Sequence, residues 1–207
     1  MPTKTFFNLP KDKQARLLEA ARIEFSRTSL SEASIANIVK HAEIPRGSFY
    51  QYFEDKEDLF YYYFSCIKKD NKKMFLNAIK VHDGDFISAF EDYFVQTVDL
   101  LLEEKNQQFF KNMFLRMDYR ASRKITPDLI KSRQEKHADM QKKFIQLIDM
   151  ELLNIENEEE SEMLMRLLMT IMFQTIGDGF SADLSKEQII QNFNLKMKWI
   201  KNGVYRK

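Results

Sequence analysis

Apolar residues recur every three or four positions along almost the whole chain, the period of an amphipathic helix. Leu17, Leu18, Ala21 and Phe25 make one such face; Asn8 is placed to cap it and Pro10 suits its first turn. That helix should end near Ser26 to Thr28. A shorter stripe of Ile35, Ile38, Val39 and Ala42 follows the cap candidate Ser34. After the tight connection Glu43-Ile44, Pro45 can open a third helix. Asp55 is placed to cap a longer helix from Lys56 to about Ile79, and His82-Asp83-Gly84 reads as a loop. Further helices are expected over about Phe86 to Glu104, Gln107 to Tyr119, and Thr126-Pro127 to about Leu153. Another runs from Asn157 to Gly177 and Gly179, and a last one from the Ser185/Gln188 capping-box pair to Gly203. The pattern gives nine helices and no convincing strand: an all-α chain.

Composition agrees with this and narrows the function. Five Gly and four Pro in 207 residues are too few for a fold of many tight turns, and 44% hydrophobic residues exclude general disorder. A net charge of +1 removes any bulk electrostatic case for nucleic acid or membrane, although residues 1–53 carry eight Lys/Arg against five Asp/Glu. The single cysteine, Cys66, excludes an intramolecular disulfide and a cysteine-rich zinc site, and suits a reducing cytoplasm. Met1 to Pro10 hold no apolar run of signal-peptide length. Met163 to Ile176 has 10 apolar residues in 14 but is too short to span a bilayer and contains Arg166. A cytoplasmic location with no membrane partner is therefore expected.

His41, His82 and His137 lack metal-ligand spacing, and Glu135, His137 and Asp139 would point in different directions on a helix. No catalytic constellation, metal site or cofactor is expected.

Ser34 to Phe53 holds the informative chemistry. Two short helices around a very short turn make a helix-turn-helix candidate. At 100° per residue, Phe49 and Phe53 share one side of the third helix and should pack against Leu17, Leu18, Ile38 and Val39. Gly47, Ser48 and Gln51 then point outward, flanked by Tyr50 and Tyr52. That face suits DNA: Gln pairs bidentately with adenine, Ser bonds either kind of base edge, and Gly lets the backbone approach the groove floor. Arg46 reaches a guanine or a phosphate, the tyrosine hydroxyls reach the groove walls, and Lys56 reaches a further phosphate.

These residues carry a resemblance. Ser34-x-x-x-Ile38, then Ala42-Glu43-Ile44-Pro45-Arg46-Gly47-Ser48-Phe49-Tyr50-Gln51-Tyr52-Phe53 and Asp55-Lys56-Glu57-Asp58-Leu59, resemble the N-terminal domain of TetR/AcrR-type bacterial transcriptional regulators. The match covers roughly residues 9 to 64. It implies an all-helical homodimer in which a three-helix DNA-binding head, residues 1–53, sits on a larger body, residues 54–207, that binds a small molecule and dimerises. The resemblance implies phosphate contacts at Tyr50 and Lys56 and places Arg46, Ser48 and Gln51 near bases; Ser34, Gly47 and Tyr52 complete the expected DNA-binding set. Two departures stand out: Glu43 where glycine is usual in the turn, and Ser29 where it is usual after the first helix. A non-Gly residue costs about 1 kcal/mol if φ is positive there.

Met and Phe are frequent in the body. Met113, Phe114, Met117, Met140, Phe144, Met169 and Phe173 are candidates to line an adaptable apolar pocket, with ordinary core packing as the alternative. In the family the last two helices usually form the dimer contact, and Ile189, Ile190, Phe193, Met197 and Ile200 provide a stripe for it. The expected function is a repressor that binds a palindromic double-stranded DNA operator and is released by a small apolar or amphipathic effector. The alternatives are an activator, a helical small-molecule-binding protein or enzyme that shares only the body, and a helical protein-interaction module.

Overall fold

A computed structural model describes residues 1–116 and 147–204. Among these residues there are ten α-helices, two short 3-10 segments and no strand. The helices are α1 (Lys4–Phe7), α2 (Lys11–Arg27), α3 (Ile35–His41), α4 (Arg46–Tyr52), α5 (Lys56–Ile67), α6 (Asn71–Val81), α7 (Phe86–Leu102), α8 (Glu104–Arg116), α9 (Glu158–Ser181) and α10 (Lys186–Asn202). None of them is long and apolar enough to cross a membrane.

Several boundaries follow from local chemistry, as the sequence predicts. Asp55 accepts from the Asp58 N–H at 2.7 Å, Asn157 from Glu160 at 2.9 Å, and Ser185 with Gln188 completes a capping box. Other expectations are corrected. Asn8 closes the short α1 instead of opening α2, whose N-cap is Pro10. The long helix from Lys56 breaks at a 3-10 segment, Lys68–Asp70, where residues 68–73 contain no apolar side chain to continue the stripe. Most of the helix expected from Thr126 to Leu153 lies outside the described residues; Met150–Leu152 at its end is a 3-10 turn. Helix α9 runs through Gly177 and Gly179 to Ser181. A Cβ at Gly179 would lie 2.6 Å from Ile189 Cγ1, so this glycine permits the close approach of α9 and α10 and ends neither helix.

The chain forms two compact units, one holding α1 to α5 with α8, the other holding α6, α7, α9 and α10. The first unit extends beyond residue 53 because α5 and α8 share its aromatic core. Phe60 meets Phe25 edge-on at 5.1 Å and Phe109 at 5.2 Å, and Tyr63 meets Phe109 at 5.1 Å. Burial there pushes the Tyr63 phenol up to about 12. Tyr63 of α5 is thus part of the packed interior of this unit.

In the second unit Phe193 lies fully buried and stacked on Phe94, with ring centres 3.6 Å apart. Ile189 and Met197 are buried with it. The stripe expected to meet a partner copy is thus used mainly inside the chain, while Leu195 and Trp199 of α10 are about half exposed.

Candidate nucleic-acid interface

The turn between α3 and α4 is built by hydrogen bonds that continue the end of α3. Ile44 N–H donates to Val39 O at 3.0 Å and Glu43 N–H to Lys40 O at 3.3 Å, the paired bonds of a Schellman motif. The motif needs a left-handed residue, and Glu43 supplies it at φ 55°. The departure from glycine is therefore a true positive-φ position. Arg16 Nη1 meets the Glu43 carboxylate at 3.0 Å. Ser29, the other departure, is not at positive φ. Its hydroxyl donates to Glu32 at 3.0 Å.

Pro45 then stands as the N-cap of α4 rather than inside it, and its carbonyl accepts from Ser48 N–H at 2.9 Å. Helix α4 divides as its spacing predicts. Phe49 and Phe53 are fully buried, together with Leu17, Ile38 and Val39, whereas Leu18 is half-buried. Arg46, Gly47, Tyr50 and Gln51 are exposed and Ser48 is half-buried. A Cβ added at Gly47 would meet nothing within 4 Å. Internal packing therefore does not require glycine at this helical position, where it is disfavoured. Tyr52 is half-buried, its ring edge-on to Phe6 at 6.5 Å, so it leans toward the core more than the flanking position suggests.

Two expected contact residues prove to be engaged within the protein. Lys56 Nζ donates to Ser31 O at 2.6 Å and to Ala33 O at 3.0 Å, closing the loop between α2 and α3. An ammonium has three donors, so one remains for a phosphate. Ser34 is the N-cap of α3, but its side chain makes no cap bond. Its N–H donates instead to Glu24 Oε1 at 2.8 Å.

Glu24 is a structural residue of the helix-turn-helix that the motif reading misses. Its side chain is 1% exposed and accepts from Arg27 Nε and Nη2 at 3.0 and 2.8 Å, from Ser34 N–H, and from Asn37 Nδ2 at 3.3 Å. The Arg27 bonds, then those of Ser34 and Asn37, outweigh burial and hold its carboxyl below the ordinary value of 4.5. A carboxylate on the apolar face of α2 thus orients the start of α3. The available signal was a charge at a core register position, seven residues after Leu17. Asn112 had no such signal: its Nδ2 reaches back from α8 to Ser26 O at 2.6 Å and Phe25 O at 3.1 Å, closing the end of α2.

The described ligand candidates lie on α8 and α9. Met113 and Phe114 are half-buried on α8 in the first unit. On α9 in the second unit Met169 is half-buried and Phe173 is 38% exposed. Met117, Met140 and Phe144 lie outside the described residues. Among the described residues no three His, Cys, Asp or Glu side chains cluster as metal ligands. Burial pushes the Cys66 thiol up, away from thiolate reactivity.

Residues 17–63 match the family model described as bacterial regulatory proteins, tetR family. Residues 85–204, more than half of the chain, match the model of the tetracyclin repressor-like C-terminal domain. Among solved structures, a TetR transcriptional regulator from Rhodococcus sp. RHA1 is 18% identical, with 95% of this chain and 98% of that chain covered and a TM-score of 0.56. A TetR-family regulator from Streptomyces coelicolor is 17% identical, with 93% and 83% covered and a TM-score of 0.59. NalD, the secondary repressor of the MexAB-OprM multidrug efflux pump in Pseudomonas aeruginosa, is 18% identical, with 94% and 97% covered and a TM-score of 0.55. At these identities the likeness is one of fold. No curated protein matches the chain. The two family models and the helix-turn-helix they enclose make the chain a member of the TetR family, a DNA-binding transcriptional regulator.

Proposed function

We propose that the protein is a ligand-responsive repressor that binds a roughly palindromic operator as a homodimer and is released by a small apolar or amphipathic effector. The observation that carries the DNA-reading part is the outward face of α4. Arg46, Gly47, Tyr50 and Gln51 stand in the open while Phe49 and Phe53 hold the helix from behind. Gly47, with nothing near its missing Cβ, fits close approach of the backbone to a groove. Gln51 and Ser48 face base edges, with Arg46 at a base or phosphate. Tyr50, the third proton of Lys56, and the edge residues Ser34 and Tyr52 serve the phosphates. Residues 1–53 are the reader, supported by α5 and α8, and residues 54–207 bind effector and partner.

Support for a dimer comes from apolar side chains left uncovered within the chain. Met163 and Leu167 on α9 are 56% and 50% exposed, and Leu195 and Trp199 on α10 are 47% and 48% exposed. Exposed apolar residues of this size at helical spacing suit a second copy of the chain. Support for an apolar effector is the Met- and Phe-rich body, with Met113, Phe114, Met169 and Phe173 as described candidates. The repressor role draws on NalD, whose described task is repression of a multidrug efflux pump. In a dimer the two heads would enter successive major grooves about 34–36 Å apart. Effector and DNA would oppose each other by reciprocal coupling.

The test is a titration of the DNA upstream of the protein's own gene, with scrambled duplex as competitor, at two salt concentrations. Competitor-resistant binding that weakens with salt is expected. Tyr50→Phe should weaken all DNA about equally. Gln51→Ala should cost about 1–3 kcal/mol at one base position and relax the preference there. Unchanged affinity in both variants refutes the docking of α4. A monomer by light scattering refutes the dimer.

A further inference from the structure

Helix α4 is too short to hold itself. Seven residues make two turns, and a helix of that length is not stable alone in water. Its last carbonyls have no partner within the helix. Phe49 O accepts from Phe53 N–H at 2.9 Å. The carbonyls of Gln51 and Tyr52 are taken by one residue far away in sequence: Thr3 Oγ1 donates to Gln51 O at 2.6 Å, and Thr3 N–H donates to Tyr52 O at 2.9 Å.

Thr3 is itself anchored. Three residues on, Phe6 is fully buried, with its ring 5.0 Å from Phe53 and 5.3 Å from Tyr62. Phe6 N–H donates to Thr3 O at 3.2 Å, starting α1. At the far end of this segment Gln14 Nε2 donates to Phe7 O at 3.2 Å and to Leu9 O at 2.8 Å. Residues 3 to 9 are thus tied to α4 at one end and to α2 at the other. The backbone atoms they hold belong to Gln51 and Tyr52, at the end of the outward face.

We infer that the segment Thr3 to Leu9 is a positioning element for DNA reading, in which the Thr3 hydroxyl and N–H fix the last turn of α4 and so the placing of Gln51 against base edges. This rests on the reading of α4 as the DNA-contacting helix. Thr3 is a positioning residue and meets no base in this scheme. Its loss should lower discrimination between sequences and leave phosphate contacts, and hence salt dependence, as they are.

The experiment compares full-length wild type, Thr3→Val, Thr3→Ser and Gln51→Ala. Valine keeps the shape and the N–H and removes the hydroxyl bond; serine restores it. Hydrogen exchange is followed at the Gln51, Tyr52 and Phe53 amides. DNA binding is measured on the motif that wild type enriches from a pool of random-sequence duplexes, and on scrambled duplex. Thr3→Val should lose about 3- to 10-fold in exchange protection and in motif affinity, the worth of one net hydrogen bond. Scrambled-duplex affinity should not move, and Thr3→Ser should match wild type. The inference is overturned if Thr3→Val keeps both protection and motif affinity, or if motif and scrambled affinities fall together. If wild type enriches no motif, or Gln51→Ala leaves it unchanged, the reading of α4 itself falls and the inference with it. The exchange result tells these failures apart, because it reports on α4 without DNA.

Discussion

Replacing Glu24 by alanine should loosen the helix-turn-helix from within. The carboxylate is 1% exposed and joins the Ser34 N–H, the Asn37 amide and the Arg27 guanidinium. Truncation leaves the Ser34 N–H without a charged acceptor, a bond worth about 1.5–3 kcal/mol. It also removes one buried methylene, Cγ, about 0.8 kcal/mol. Arg27 is largely exposed and turns to water. The expected loss is about 2–4 kcal/mol, or roughly 30- to 1,000-fold in local opening. Glu24→Gln keeps an acceptor for Ser34 but turns an NH2 toward other donors, and should lose about 10-fold. Hydrogen exchange over residues 28–42 is the assay. Trp199, the single tryptophan, lies in the second unit, so its fluorescence would miss the event. The sign with pH follows from the depressed carboxyl. Its contribution is complete above about 4.5, the ordinary value, and is lost as pH falls through the lower folded value. Wild-type protection at Ser34 should therefore drop in acid, while Glu24→Gln shows no such step. Less than about 10-fold loss in Glu24→Ala, or a loss spread evenly over the chain, refutes the clamp.

Three further outcomes are expected. Gly47→Ala should stabilise the free protein by about 0.5 kcal/mol, because a helical glycine with open space around it gains from a Cβ. The same change should weaken operator binding in a titration; equal DNA affinity would mean that Gly47 does not approach a groove. At Glu43, held at φ 55°, valine should cost about 1–2 kcal/mol in urea unfolding while glycine costs none. Equal losses would show that strain is not what distinguishes that site. Gly179→Ala should destabilise the second unit by about 1–3 kcal/mol, read by Trp199 fluorescence, because its Cβ would fall 2.6 Å from Ile189 Cγ1. Unchanged stability would mean that α9 and α10 separate at little cost.

The all-α fold class and the division of α4 into buried and outward faces follow from the sequence by itself, because both depend on residues three or four apart on the same helix. Phe49 and Phe53 reveal the inner side and Gly47 with Gln51 the outer one for that reason. Caps are equally local: Asp55, Asn157 and Ser185 each accept from an N–H three residues on. The left-handed Glu43 was visible as a departure where glycine is usual. Tertiary structure alone decided the rest, since those partners lie far apart in sequence. Lys56 looks like a free phosphate contact until Ser31 O and Ala33 O, 25 and 23 residues back, take two of its protons. The stripe on α10 looks like a surface for a partner until Phe94 covers Phe193. Gly179 looks like a helix stop until Ile189 arrives against it. Thr3 carries no signal until it meets the end of α4. Periodicity tells which side of a helix is apolar; only the packed chain tells what covers it and which polar groups are already spent.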